Sequence, residues 1–200
     1  MVPIEFAPRQ SWFVVFRRPA EPPSRRAPNF PSLEAVAELA GPWRVAFDPK
    51  WGGPESAVFE TLDDWSKRPE EGIRYYSGTA TYRKGFDLPE TLRQPGRRLY
   101  LDLGRIKHVA SVRLNGKDLG VVWAAPWRVE ITGAVKASDN ALEIDVVNLW
   151  PNRLIGDAKL PVEKRLTKTN VQKFYRGQYP LMESGLLGSV RLLTSSELRN

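Results

Sequence analysis

The sequence predicts an all-β protein, an antiparallel β-sandwich with a proline-rich N-terminal strap, and three observations carry that expectation. From Trp43 onward, short runs alternate apolar and polar residues with the period of two that marks half-buried strands. Gly, Pro, Asn and Asp punctuate these runs at the spacing of sandwich turns. Helical periodicity is scarce, the exception being Leu33–Leu39, which reads as a short helix. With 42% hydrophobic residues in a 200-residue chain there is enough apolar surface for a real core.

Taken in order, residues 4–18 read as a turn around Pro8-Arg9-Gln10 that leads into a strand containing Trp12-Phe13-Val14-Val15-Phe16. This apolar run is too short to span a bilayer, and it lacks the flanks of a signal peptide. Residues 19–31 follow with five prolines, which cannot donate to a ladder and so mark a linker or extended strap. A strand cut off from partners is barely stable in water. The expected organisation is therefore a terminal strand segment at 1–18, the tail of a preceding domain, then a linker at 19–31 and the sandwich at 32–200.

Within the sandwich, strands are expected at Trp43–Asp48, Ala57–Thr61, Ser77–Asp87, Arg97–Leu103, His108–Leu114, Asp118–Val122, Arg128–Ile131, Ala141–Asn148 and Ser189–Leu193. Asn115-Gly116 between two of them supplies the positive φ angles of a type I′ hairpin turn. Trp43, Trp65, Tyr82 and Phe86 occupy inward positions and read as packing.

Absences narrow the chemistry. The chain has no cysteine, which excludes disulfides and thiolate metal sites but leaves the compartment open. There is one histidine, His108, read as structural, and no nucleophile elbow, phosphate-binding glycine loop or H-E-x-x-H helix. No catalytic residue and no cofactor is expected. Asp48, Asp63 and Asp64 are the only candidates for a Ca²⁺ site, and they lack a spaced ligand loop. The net charge of +7 is concentrated between Arg153 and Arg176, where seven Lys/Arg face Asp157 and Glu163. That stretch reads as a solvated basic loop or a patch steering an acidic ligand, with acidic plant polysaccharide as the candidate. Nucleic acid ranks last because the aromatic residues and the charge lie in different parts of the chain, and no membrane partner is expected.

Several segments together carry a resemblance. Trp43-Arg-Val, Leu62-Asp-Asp-Trp65, Gly78-Thr-Ala-Thr-Tyr82-Arg83-Lys84-Gly-Phe86, Leu101-Asp-Leu-Gly104, Val112-Arg-Leu-Asn115-Gly116-Lys-Asp-Leu119-Gly120 and Asn140-Ala-Leu142-Glu-Ile144 resemble the sugar-binding (galactose-binding-like) jelly roll of β-galactosidases and β-glucuronidases. The run Asn148-Leu-Trp-Pro-Asn-Arg-Leu-Ile-Gly-Asp157, with Leu160-Pro161, Arg165, Thr167, Thr169-Asn170 and Pro180-Leu-Met-Glu-Ser-Gly-Leu-Leu-Gly188, is more similar to the C-terminal domain of large bacterial α-L-rhamnosidases. The resemblance runs from Trp43 to Leu193. It implies a jelly-roll fold and an accessory, sugar-binding role beside a catalytic domain of a parent glycosidase, in which the catalytic carboxylates lie on a separate barrel. It also implies a bacterial periplasmic or secreted parent. The rival expectations are a structural spacer bracing that barrel and a truncated enzyme with residual hydrolysis.

Strand parity places Tyr75-Tyr76, Arg105 to His108, Trp123 to Trp127 and Trp150 to Arg153 at one pole of the sandwich, and Asn115-Gly116, Ser138-Asp139 and the Pro89–Pro95 connection at the other. Sugars need aromatic faces for their C–H surfaces and planar polar groups for their hydroxyls. The candidate carbohydrate-binding residues are accordingly Tyr76, Trp123, Trp127, Trp150, Asn152, Arg153 and Asp157. Each Trp has an alternative role as a plug of the sandwich end, and Arg153 with Asp157 as a local ion pair.

Overall fold

The computed structural model describes residues 4–6, 10–17, 30–93, 96–170 and 179–195. Two antiparallel sheets face each other. One has four strands in the order β1 (Leu33–Glu38), β12 (Arg191–Ser195), β5 (Leu99–Asp102) and β9 (Arg128–Glu130). The other has six, β3 (Ser56–Phe59), β2 (Trp43–Ala46), β4 (Thr79–Phe86), β10 (Asn140–Val147), β7 (Val109–Leu114) and β8 (Lys117–Val122). A small ladder of β6 (Arg105–Lys107) and β11 (Gly185–Gly188) closes one end.

Period two decides which face of each strand is inside. In the central strands the register sets Ile144 opposite Tyr82 and Val112, and Val146 opposite Ala80 and Ala110, all buried. The intervening residues form a polar ladder on the outer face. Arg83 Nε donates to Glu143 at 2.8 Å, and Arg113 meets Asp145 at 2.9 Å. From the facing sheet, Leu101 pairs with Leu192 and Val129 and is buried with Leu192 against this core. Trp43, Trp65 and Tyr82 are fully buried, as expected of packing residues, and Phe86 packs on the core part-buried. Trp65 stacks on Tyr82 with an interplanar angle of 9°, and its Nε1 donates to the Tyr82 hydroxyl at 2.6 Å.

Each expected strand has a counterpart, with ends shifted by up to a few residues. The Asn115-Gly116 turn has the positive φ values, 54° and 78°, that its sequence requires. Asn115 also donates to Ala134 O and Asn140 Oδ1, tying the hairpin to the loop before β10.

Leu33–Leu39 is a correction. The expected helix is strand β1, paired with β12 from Leu33↔Ser195 to Glu38↔Arg191 through an irregularity at Ala35–Ala37. Leu, Glu and Ala favour helix locally, yet a two-turn helix is marginal alone, and pairing its backbone to β12 outweighs a few tenths of a kcal/mol per residue of propensity. Residues 10–17, expected to lead into a strand belonging to a preceding domain, form no ladder with any described strand. Phe13 and Phe16 are 92% and 85% exposed there, while Trp12 turns back to donate to Glu5 O and meets Phe30 edge-on at 5.7 Å. The expected turn at Pro8-Arg9 and most of the proline-rich strap lie outside the described residues. No helix among the described residues is long and apolar enough to cross a membrane.

Candidate functional site

At the end of β10 the chain does not pass into a loop, as its sequence suggested, but into a two-turn helix, Pro151–Ala158. Pro151 occupies the first turn, where its missing N–H costs nothing and its fixed φ suits a helix. The helix turns Asn152, Arg153, Ile155, Gly156 and Asp157 inward. Gly156 is needed for this seat, because a Cβ there would stand 2.7 Å from Tyr75 Cγ.

The inward polar residues are consumed by the protein itself. Asn152 Nδ2 donates to Met182 O at 2.7 Å and to Ser184 Oγ at 3.0 Å, and its Oδ1 accepts from Met182 N. Arg153 Nε stands 3.1 Å from Asp157 Oδ1 as a buried i,i+4 ion pair, off the line of a hydrogen bond. The other Asp157 oxygen accepts from both the backbone N–H and the hydroxyl of Thr167. One layer further in, Asn148 Oδ1 accepts from Gly78 N, and its Nδ2 donates to Tyr76 O and Ser184 Oγ. Ser184 N donates to Asp64 Oδ1. These bonds clasp residues 182–184 and the start of β4 to the end of β10.

Above this layer lies a cavity of about 260 Å³ whose walls include Asp48, Trp51, Tyr76, Trp150, Arg153 and Thr167. Trp51 and Trp150 meet edge-to-face, ring centroids 6.1 Å apart, and are 38% and 58% exposed. The Tyr76 hydroxyl accepts from Asp48 N at 3.1 Å and donates to Thr79 O at 2.8 Å. Burial pushes this phenol above its ordinary pKa, so it stays neutral. Asp48 caps a 3-10 turn, Pro49–Trp51, by accepting from Lys50 N at 2.9 Å.

The structure thus divides the seven expected residues. Tyr76, Trp150 and Arg153 line the cavity, with Asn152 and Asp157 engaged beneath it. Trp123 lies two strands away at the end of β8, 77% exposed, in a separate groove of about 740 Å³ shared with Trp12, Phe30 and Tyr100. Trp127 is part-buried against the core, and its carbonyl accepts from Leu103 N. Sequence reasoning missed Trp51. A Trp in a Pro-Lys-Trp-Gly-Gly turn has no strand alternation to place it inside, and that is the signal it offered.

Asp48, Asp63 and Asp64 do not converge as a cation site. Asp64 Oδ1 is taken by Ser66 N and Ser184 N, Asp63 pairs with Arg68 at 3.4 Å, and no group of three His or acidic residues among those described could hold a metal. His108 donates its backbone N–H to Val147 O. Burial, aided by Lys107, holds its imidazole below the ordinary pKa.

Two facing antiparallel sheets with a small ladder beside them define the chain as a β-sandwich domain. Comparison with known proteins makes this specific. Residues 63–178 match the family model of the glycosyl hydrolase 2 galactose-binding domain-like proteins, and the chain belongs to that family. A putative β-glucuronidase of Formosa agariphila is 46% identical over 125 residues, which make up 62% of this chain and 11% of that protein. The rhamnosidase of Novosphingobium sp. PP1Y superposes with a TM-score of 0.77 at 41% identity, over 86% of this chain and 16% of that one. A β-glucuronidase from an uncultured Clostridium sp. shares the fold at 20% identity, with a TM-score of 0.57 over 83% of this chain and 31% of that one. The chain therefore spans a small part of these relatives, and the matched region is a galactose-binding-like domain, not a catalytic one.

Proposed function

We propose that this chain is a non-catalytic carbohydrate-binding domain of a glycoside hydrolase of rhamnosidase type, and that it holds a sugar in the cavity lined by Trp51 and Trp150. The observation that carries this reading is the pair of half-exposed indoles beside a cavity floored by polar groups that are already paired. These two aromatic rings, part-exposed in a chain that buries Trp43 and Trp65 completely, suit the C–H faces of a pyranose. The cavity has the liquid volume of about nine waters at ~30 Å³ each, the scale of one or two sugar rings. The 41% identity to a rhamnosidase supports a parent of that type, with its catalytic domain as neighbour. Residues 1–18, with their exposed Trp12–Phe16 run, fit the tail of a preceding domain that this neighbour would cover. Within the basic stretch, Arg153, the residue that lines the cavity, is paired with Asp157.

Calorimetric titration of the chain with a panel of methyl glycosides and short glycans, repeated on Trp51→Ala and Trp150→Ala, tests the reading. Each truncation should remove a stacking face and cost on the order of 1–3 kcal/mol of binding, by analogy with bases on aromatic rings. No glycan bound by the parent chain would leave the spacer role in its place. Turnover of chromogenic rhamnosides that survives repurification and disappears on mutating an acid of this chain would overturn the non-catalytic assignment.

A further inference from the structure

We infer that the Trp51–Trp150 cavity selects neutral pyranoses and rejects uronates, an inference that rests on the sugar-binding reading above. Selectivity follows from which polar groups remain available. Arg153, the cationic side chain among the described lining residues, is compensated by Asp157 at 3.1 Å beneath it. Most of the remaining polar lining side chains are also engaged: the Tyr76 hydroxyl with Thr79 O, Ser77 Oγ with Leu149 O, Asn148 with Gly78 N and Tyr76 O, and Thr167 with Asp157, while Thr79 adds an exposed, neutral hydroxyl. Asp48 is different. It is exposed at the cavity wall, and its Oδ1 accepts from Lys50 N. A carboxylate accepts at up to about four lone-pair positions, so most of its capacity faces solvent and ligand.

The described lining therefore offers two indole rings, the neutral Thr79 hydroxyl and one uncompensated charge, the Asp48 carboxylate. A neutral sugar supplies hydroxyl donors to Asp48 and C–H groups to the rings. A sugar carboxylate finds no uncompensated cation among these residues and a like charge across a few ångströms. At an effective dielectric constant between the protein-surface value and that of water, repulsion over such a distance disfavours the anion on the order of tenfold.

The test uses matched pairs that differ only at C6, methyl glucoside against methyl glucuronide and methyl galactoside against methyl galacturonide, with methyl rhamnoside as a further neutral probe. Each is titrated into the full chain and into Asp48→Asn, at low salt and at about 1 M NaCl, where the Debye length falls to about 3 Å. Asn keeps an oxygen for the Lys50 N–H, and thermal melts check that the turn is intact. The neutral member should bind about tenfold more tightly at low salt. The ratio should shrink severalfold in high salt and again in Asp48→Asn. A uronate binding as well as its neutral partner, or a ratio unchanged by Asp48→Asn, overturns the selectivity while leaving the cavity as a sugar site. Binding of no probe at all, or binding that Trp150→Ala leaves untouched, overturns the site itself and this inference with it.

Discussion

Two layers at the same end of the sandwich use similar residue types for opposite purposes. The lower layer, Asn148, Asn152, Ser184 and the Arg153–Asp157–Thr167 cluster, is buried and finds its hydrogen-bond and ion-pair partners within the chain. The upper layer, Trp51 and Trp150, is half in water and satisfied by nothing described. Planar polar side chains after a strand end are what a sugar site needs, but they are also what a chain needs to dock a returning segment onto a helix. Burial separates the two uses, and sequence does not report burial at a pole where strand alternation has stopped.

This comparison breaks most visibly at Arg153. Arg153→Ala would leave Asp157 as an uncompensated charge in a site that excludes water, a loss of about 3–5 kcal/mol. At about 2–4 °C per kcal/mol for a domain of this size, the melting temperature should fall by roughly 6–20 °C. A melt close to that of the parent would mean that Arg153 is free for ligand, not held by the fold.

Asn148→Ala comes next. It leaves Gly78 N and Tyr76 O without partners at the base of β4, and the expected cost is about 1–3 kcal/mol, read from a urea titration. Trp150→Ala should stay within about 1 kcal/mol of the parent in the same titration, because the ring is 58% exposed. Losses of equal size at Asn148 and Trp150 would erase the distinction between the layers.

The smallest effect concerns pH. Burial holds His108 below its ordinary pKa of about 6.5, so below that value the unfolded chain binds the proton more readily than the folded one. Stability should therefore be full above about pH 6.5 and decline as the pH falls through and below it. Melting curves between pH 7.5 and 5 should show this decline, and His108→Gln should flatten part of it.

The strands and their inward faces were legible because period two survives in any single run, as in Ala141 to Asn148, and because Asn115-Gly116 admits few turns. Leu33–Leu39 was misread because its helix-favouring composition is local, whereas its pairing to β12 joins residues about 160 positions apart. The Pro151–Ala158 helix was missed although Pro151 and the i,i+4 spacing of Arg153 and Asp157 both announced it. Of the candidate site, Trp150 and Tyr76 were legible as aromatic residues at one pole. That Trp123 opens into another groove depends on the order of strands in the sheet, which alternation does not encode.

A sugar seated against Trp51 and Trp150 is tested most directly by the indole N–H signals of the seven tryptophans in a ¹⁵N-correlated NMR spectrum, assigned by single Trp→Phe variants and followed during titration with methyl rhamnoside. The indoles of Trp51 and Trp150 should shift together along one binding curve, while those of buried Trp43 and Trp65 and of distant Trp123 stay in place. A curve carried by Trp123 and Trp12 instead, with Trp51 and Trp150 unmoved, would contradict the account.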